Sequence, residues 1–217
     1  MAGFQQPPKE PIMMPAVDNI AQILKTHWAE LLPEDDGVCC AVALLLRDTL
    51  AGPEVLLVQR ATFAGDPWSG NVGFPGGKVE DGDGSPRLAA ERETLEEVGV
   101  DLSRADFLGF LAEIPGAHLP VRVSCFVYRF PAGGTISLNG EIVDAFWVRL
   151  ADLADRRRHC LLPIPFGDEE LPRPGIMLPQ PAKPFLWGLT YRLVMELLQL
   201  LMPEEFADSV FEPSRTD

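Results

Sequence analysis

A chain of 217 residues that is 47% hydrophobic has apolar material for one sizeable core and is short for two independent ones. Its 32 acidic and 18 basic residues leave a formal net charge of −14, which argues against a broad nucleic-acid surface, since backbone phosphates need clustered Lys and Arg. The longest apolar run, Val38 to Leu46, falls short of the about 20 residues that span a bilayer, and Met1 to Pro15 lacks the basic start and long apolar stretch of a secretory leader; a soluble cytoplasmic protein with no membrane partner is expected.

Val17 to Leu32 carries Ile20, Ile23, Leu24, Trp28 and Leu31 at helical spacing, so residues 1–35 read as an N-terminal segment with an amphipathic helix. Val38 to Arg47 and Val55 to Arg60 are apolar, β-rich runs, and Ala51-Gly52-Pro53 between them predicts a turn joining two strands. The next landmark is Gly76-Gly77-Lys78-Val79-Glu80-Asp81-Gly82-Asp83, followed by Arg92-Glu93-Thr94-Leu95-Glu96-Glu97-Val98-Gly99-Val100. Ser85 as N-cap and Pro86 at the first helical position open a helix over about residues 86 to 98, closed by Gly99 as a left-handed cap.

On that helix Glu93 and Glu97 lie one turn apart with Glu96 beside them, forming one acidic face. Carboxylates about 6 Å apart repel by roughly 3 kcal/mol at an effective dielectric near 20. Glu96 and Glu97 also occupy the last turn, where the macrodipole favours cations. A divalent cation would reverse both penalties, because hard ions such as Mg²⁺ prefer carboxylate oxygens. Leu88, Leu95 and Val98 are the expected buried side. Ala89 and Ala90 are expected to flank the acidic face and leave room for a ligand, and Glu91 falls among apolar positions as a defect in the pattern.

Strands follow at Phe107 to Ile114, Val121 to Phe130 and Ile142 to Val148. Arg156-Arg157-Arg158 reads as a solvated loop, and the proline-rich stretch from Arg156 to Lys183 as a lid, a loop or an interface. Leu186 to Met202 is a strongly apolar helix. The expected division is a central domain over residues 36–155, with residues 156–217 packed on it; the order of elements suits an α/β fold with a mixed sheet between helices. Cys39, Cys40, Cys125 and Cys160 show no metal-knuckle spacing, and the first three read as strand or core residues.

The glycine loop and acidic helix resemble the signature of the Nudix hydrolases: a glycine, five residues, an acid, seven residues, then Arg-Glu, a hydrophobic residue, any residue, Glu-Glu, any residue, Gly and a hydrophobic residue. Gly77, Asp83 in place of Glu, Arg92-Glu93, Glu96-Glu97, Gly99 and Val100 match it; the gap before Arg92 is one residue longer, and Thr94 replaces the hydrophobic residue. The resemblance implies a Nudix α/β/α sandwich. It implies that Glu93 and Glu97 bind Mg²⁺ or Mn²⁺, that Glu96 joins the same cluster or activates water, and that Arg92 orients a glutamate. It also places the Gly77 carbonyl near the metal. The activity implied is hydrolysis of a phosphoanhydride, with Glu96, Glu93 and a later acid, Glu141, as candidate general bases.

The longer gap, Arg60, Phe74-Pro75-Gly76-Gly77-Lys78 and Trp187-Gly188-Leu189-Thr190 look like the coenzyme A pyrophosphatase branch, which yields 3′,5′-ADP and 4′-phosphopantetheine; Gly65 to Gly73 departs from that branch's pattern. Arg60, Lys78 and Arg122 are candidate phosphate partners, and Arg60 reads equally as a structural ion pair. Phe74 is grouped with them, and Trp68 is read either as a stacking partner for a base or pantetheine arm or as a loop anchor. His118 reads as exposed loop. ADP-ribose, a dinucleotide or a nucleoside triphosphate are alternative substrates. A non-catalytic nucleotide-diphosphate-binding module and an interaction protein using the last helix are alternatives of other kinds. A homodimer is compatible with the sequence, which does not fix oligomeric state.

Overall fold

The computed structural model describes residues 12–27, 37–62, 69–116, 120–166, 169–180 and 183–207. In chain order the elements are α1 (Val17–Thr26), β1 (Val38–Thr49), β2 (Gly52–Arg60), β3 (Val72–Gly73), β4 (Gly76–Lys78), α2 (Pro86–Val98), β5 (Phe107–Pro115), β6 (Val121–Arg129) and β7 (Ile142–Arg149). They continue with α3 (Leu150–Ala154), a 3₁₀ turn (Arg156–Arg158), β8 (His159–Phe166), β9 (Glu169–Ile176), β10 (Leu186–Trp187), α4 (Gly188–Leu201) and α5 (Pro203–Phe206). The second half of the predicted first helix, with Trp28 and Leu31, lies outside the described residues.

The hairpin β1–β2 pairs antiparallel only near its turn, from Leu46↔Val55 to Thr49↔Gly52, and then splays. The short strands fill the fork: β4 pairs with β1 through Cys40↔Lys78 and Val42↔Gly76, and β3 pairs with β2 through Val58↔Gly73. This fork holds the glycine loop in the sheet. On the outer flanks β6 runs parallel to β1, β5 is antiparallel to β6, and β7 is antiparallel to β2, giving a mixed sheet of seven strands.

Alternation along the central strands sends side chains to two cores, as the period of two requires. Leu44, Leu46, Val55 and Leu57 pack with α1, α3 and α4, while Ala41, Ala43, Leu45, Leu56 and Val58 pack with Ala89, Ala90 and Val98 of α2. The protein is an α/β fold with the sheet between helical layers. A bulge at the start of β7 matters to the site: Gln59 pairs with Asp144 but Arg60 pairs with Ile142, so Val143 is an extra residue. The slip turns Ile142 onto the α2 side, whereas Phe146 and Val148 face the other core.

The proline-rich stretch is regular structure. Strands β8 and β9 form a hairpin, β10 adds to its other side, and the three make a second sheet. Pro163, Pro165, Pro172 and Pro174 all fall at one phase of the hairpin ladder, in the pairs Pro163↔Pro172, Pro165↔Glu170 and Leu161↔Pro174. At that phase the backbone N–H groups point away from the partner strand, so their loss leaves the hairpin's own bonds intact. The segment predicted as one helix from Leu186 instead spends Leu186 and Trp187 on β10 before α4 begins. The arginine triplet is a 3₁₀ turn, with Arg157 paired to Asp155.

Helix α2 has the predicted caps. Ser85 Oγ accepts from Leu88 N at 3.3 Å, Pro86 opens the helix, and Gly99 is left-handed at φ 70° with its N–H on the Leu95 carbonyl. Its buried side differs from expectation: Ala89, Ala90, Thr94, Glu97 and Val98 face the sheet, whereas Leu88 and Leu95 are 50% and 51% exposed. Ala89 and Ala90 therefore let the helix approach β1 closely and line no ligand space. Thr94 satisfies its hydroxyl on the Ala90 carbonyl at 2.7 Å, which is how it replaces a hydrophobic residue. Nor is Glu91 a defect: its carboxylate accepts from the buried Tyr128 hydroxyl at 2.7 Å and from Arg87 at 3.0 Å.

Candidate active site

The glycine loop and α2 meet at two glycines where an added side chain would meet close contacts. A Cβ on Gly76, whose φ is +148°, would lie 2.3 Å from the Ala41 carbonyl oxygen; one on Gly77 would lie 2.6 Å from the Glu93 carboxyl carbon. The first contact lets β4 sit against β1. The second brings a carboxylate directly onto backbone.

Glu97 is 2% exposed, an extreme for an ionisable group. Its Oε2 accepts from Gly76 N at 2.9 Å and its Oε1 from Arg60 Nη1 at 3.2 Å. Burial pushes its pKa up to about 7; the Gly76 N–H and Arg60 oppose this, and Glu93 and Glu141 add to it. Glu93 is also raised, by burial first, with Arg92 opposing and Glu96 and Glu141 reinforcing.

Arg92 is the hub of the outer half. Its Nε and Nη2 grip Asp83 at 2.7 and 3.1 Å, its Nη2 also reaches the Lys78 carbonyl at 3.2 Å, and its Nη1 donates to Glu93 at 2.9 Å and Glu96 at 3.2 Å. Asp83, held below the usual carboxylate range chiefly by Arg92, also accepts from Glu80 N at 2.7 Å. The extra residue in the motif's gap leaves the Asp83–Arg92 contact in place.

The helix end is capped from the loop before β7, a contribution that sequence reading did not find. Ser137 N donates to the Val98 carbonyl at 2.9 Å and Asn139 N to the Glu97 carbonyl at 3.1 Å. Asn139 Oδ1 in turn accepts from Glu141 N at 2.9 Å, and the Glu141 carbonyl accepts from Ala61 N at 2.7 Å. These bonds, one of them through the Asn139 side chain, carry Glu141 to the field of Glu93 and Glu97.

The other predicted site residues divide. Arg60 joins Glu97, as described. Lys78 is exposed beside Arg92, which its carbonyl serves. Arg122 is drawn into the sheet, with Nη2 3.1 Å from Cys39 Sγ and Nε 3.8 Å from Glu113. Phe74 is corrected: at 6% exposure it belongs to the core shared with α1 and α4, on the face away from α2, and its ring is closed to a ligand. Trp68 and His118 lie outside the described residues. Trp187 Nε1 donates to Asn71 Oδ1 at 3.2 Å, which buttresses the approach to the glycine loop with the second sheet.

Among the described residues no three His, Cys, Asp or Glu side chains converge on one point, because Glu97 is turned to Gly76 and Arg60 while Glu93 and Glu96 are turned to Arg92. The donor set nevertheless suits a hard divalent ion. It is all oxygen, two of its carboxylates are destabilised by burial, and the missing Cβ at Gly77 leaves backbone within reach of Glu93. A separate cleft of about 750 Å³, lined by Asp18, Lys25, Phe107 and Arg129 among others, involves neither α2 nor the glycine loop. Arg129 there is already paired with Asp18, Asp48 and Asp106.

A glycine loop set into a forked mixed sheet, under a helix whose acidic residues are organised by its own arginine, defines an α/β domain of the Nudix class. The NUDIX domain family matches residues 39–163, and the chain belongs to that family. It is 30% identical over 150 residues to the uncharacterized Nudix hydrolase NudL of Yersinia pestis, covering 68% of this chain and 72% of that one. An uncharacterized protein of Schizosaccharomyces pombe is 40% identical over 109 residues, 46% of this chain and 33% of its own, so the chain spans a third of that relative's length. Among solved structures, a MutT/nudix family protein from Enterococcus faecalis superimposes with a TM-score of 0.48 at 17% identity, covering 86% of this chain and 74% of that one. Among the described residues no helix is long and apolar enough to cross a membrane.

Proposed function

We propose that the chain is a divalent-metal-dependent hydrolase that cleaves the phosphoanhydride of a nucleoside diphosphate linked to another moiety, with coenzyme A or a derivative as substrate, in the cytoplasm. The observation that carries the hydrolase reading is the buried Glu97 held against the Gly76 N–H, one turn from a Glu93 that presses on Gly77. Glu93, Glu96, Glu97 and the Gly77 carbonyl would hold Mg²⁺ or Mn²⁺. Such an ion supplies Lewis-acid polarisation of the diphosphate and acidifies the attacking water.

The chain's own residues do the rest. Arg92, anchored by Asp83, fixes the rotamers of Glu93 and Glu96. Glu96 is the most open of the three, with its side chain 55% exposed, and with Glu93 and Glu141 is a candidate base for the attacking water. Lys78, exposed at the end of β4, is available to an anionic substrate.

Support for coenzyme A comes from the motif's longer gap and from the Trp187 to Thr190 segment, which docks beside the glycine loop through Trp187 and Asn71. The deciding experiment assays coenzyme A, ADP-ribose, NADH, diadenosine polyphosphates and nucleoside triphosphates with Mg²⁺ and with Mn²⁺. Coenzyme A is expected to be turned over best, giving 3′,5′-ADP. A wide preference for ADP-ribose or a triphosphate overturns the substrate, and no turnover of any compound overturns the enzyme.

A further inference from the structure

Helix α2 ends at Gly99, where an added Cβ would lie 3.1 Å from both the Cβ and the carbonyl oxygen of Ser137. The bare backbone lets the loop before β7 close over the helix end, so that Ser137 N and Asn139 N serve the carbonyls of Val98 and Glu97. Asn139 then turns its side chain forward, and its Oδ1 accepts from Glu141 N at 2.9 Å. The Glu141 carbonyl accepts from Ala61 N at 2.7 Å, and the neighbouring Arg60 reaches Glu97 Oε1 at 3.2 Å.

These contacts close a ring that leaves Glu97 by its main-chain carbonyl and returns to its carboxylate. Its members come from α2, from the loop before β7 and from the end of β2, so it joins segments far apart in sequence. The Glu141 side chain is exposed, so burial does not hold it, and its backbone bonds set where it starts. On the carbonyl side the bond to Ala61 is backed by the ladder pair Arg60↔Ile142. On the N–H side the bond rests on the Asn139 amide oxygen. From this position the Glu141 charge helps to raise the carboxyls of Glu93 and Glu97. The repulsion turns to attraction once a divalent cation stands among the acids.

Building on the metal-dependent reading, we propose that Asn139 is a positioning residue of the active site, whose amide oxygen holds Glu141 at the rim of Glu93, Glu96 and Glu97 so that a further carboxylate contributes to capture of the divalent ion. Asn139 acts through Glu141 and touches neither ion nor substrate. Its backbone N–H stays on the Glu97 carbonyl whatever its side chain, so substitution separates the placing of Glu141 from the capping of the helix.

The test measures Mn²⁺ binding by calorimetry and by electron paramagnetic resonance on the full chain, with Asn139→Ala, Asn139→Ser, Glu141→Gln and the double variant Asn139→Ala/Glu141→Gln. Asn139→Ala is expected to bind Mn²⁺ about tenfold more weakly than the parent, the low end of what partners behind a metal site are worth, and Glu141→Gln at least as weakly. The double variant is expected to match Glu141→Gln, because Asn139 then has no carboxylate left to place. Asn139→Ser keeps a neutral oxygen for the N–H two residues on and is expected to stay within about twofold of the parent. Unchanged Mn²⁺ binding in Asn139→Ala or in Glu141→Gln overturns the proposal. So do losses that multiply in the double variant, or a serine variant as weak as the alanine one, since either makes Asn139 a structural residue acting elsewhere. Failure of the parent chain to bind Mn²⁺ overturns the metal-dependent reading itself. If thermal melts show Asn139→Ala unfolded, Asn139→Gln carries the test with the same signs, since it keeps the amide but moves the oxygen by one methylene.

Discussion

Gly77 and Glu93 are in such close contact that an alanine methyl at position 77 would sit 2.6 Å from the Glu93 carboxyl carbon. The obstructing atoms are the end of a flexible side chain, so the fold has an inexpensive response and the site does not. Gly77→Ala is expected to cost about 1 kcal/mol or less in stability while displacing Glu93 enough to reduce turnover by about 100-fold. Gly76→Ala is the contrasting case. Its methyl would meet the Ala41 carbonyl at 2.3 Å with φ at +148°, both fixed by backbone, and a loss of roughly 3 kcal/mol or more is expected. Thermal melts and steady-state assays of the two variants check this; equal melting losses would contradict the geometry.

Arg92 is held by a bidentate grip on Asp83 and in turn holds Glu93 and Glu96. A lysine has no fork and cannot serve these partners at once. Arg92→Lys is therefore expected to lower turnover by about 10- to 100-fold, with a stability change of about 1 kcal/mol or less because the side chain is partly exposed. Asp83→Asn should move turnover in the same direction by less. Wild-type rates in Arg92→Lys would show that charge alone suffices.

Helix α2 shows where sequence reading succeeds and where it stops. Its ends were legible because capping is local chemistry: Ser85, Pro86 and Gly99 behave as their types require. Its buried side was misread because leucine outranks alanine on any hydrophobicity scale, yet close approach to β1 selects Ala89 and Ala90. Leu95→Ala, which burial would have made costly, is now expected to change stability by less than about 0.5 kcal/mol. Ala90→Leu should cost about 1–3 kcal/mol by overfilling the contact. Urea denaturation of both variants decides; a larger loss for Leu95→Ala would restore the original orientation.

The rest of the site follows the same division. Glu93, Glu96, Glu97 and Arg92 were legible as a run, whereas the pairing of Arg60 with Glu97 joins residues 37 apart and depends on the sheet. The strands β8 and β9 were hidden because proline normally argues against a strand, and only the ladder's phase makes four of them harmless. Phe74, next to the glycine loop in sequence, lies between β3 and β4 and packs into the opposite core beside Val72.

Glu196 of α4 is a half-buried acid remote from the acidic cluster in sequence. Its carboxylate accepts from Ala112 N at 2.5 Å, and burial lifts its pKa from 4.5 to about 7 against the Ala112 N–H and Arg192. A folded-state pKa above the unfolded one means that the folded chain binds the proton more tightly between about pH 4.5 and 7. Stability therefore falls as pH rises through that window and is level above it. Glu196→Gln should remove part of this slope and raise stability at pH 8 by about 1–3 kcal/mol, with little effect near pH 4.5. An unchanged slope in urea denaturation across this range would place the proton elsewhere.

Glu97 should separate stability from activity. Its burial and its pKa of about 7 mean that at pH 8, without metal, the fold carries an ionised carboxylate against the cost of desolvation. Glu97→Gln keeps the shape and an oxygen for the Gly76 N–H and removes the charge. The variant is expected to be more stable than the parent at pH 8 by on the order of 2–3 kcal/mol, and the difference should vanish near pH 4.5, where the parent is itself protonated. Turnover should be nearly abolished. Saturating Mn²⁺ should raise the melting temperature of the parent, since a ligand at 100 times its Kd contributes about 2.7 kcal/mol, and should move the variant far less. A variant that loses stability at pH 8, or keeps both its turnover and its response to Mn²⁺, would make Glu97 a structural acid whose charge the fold requires.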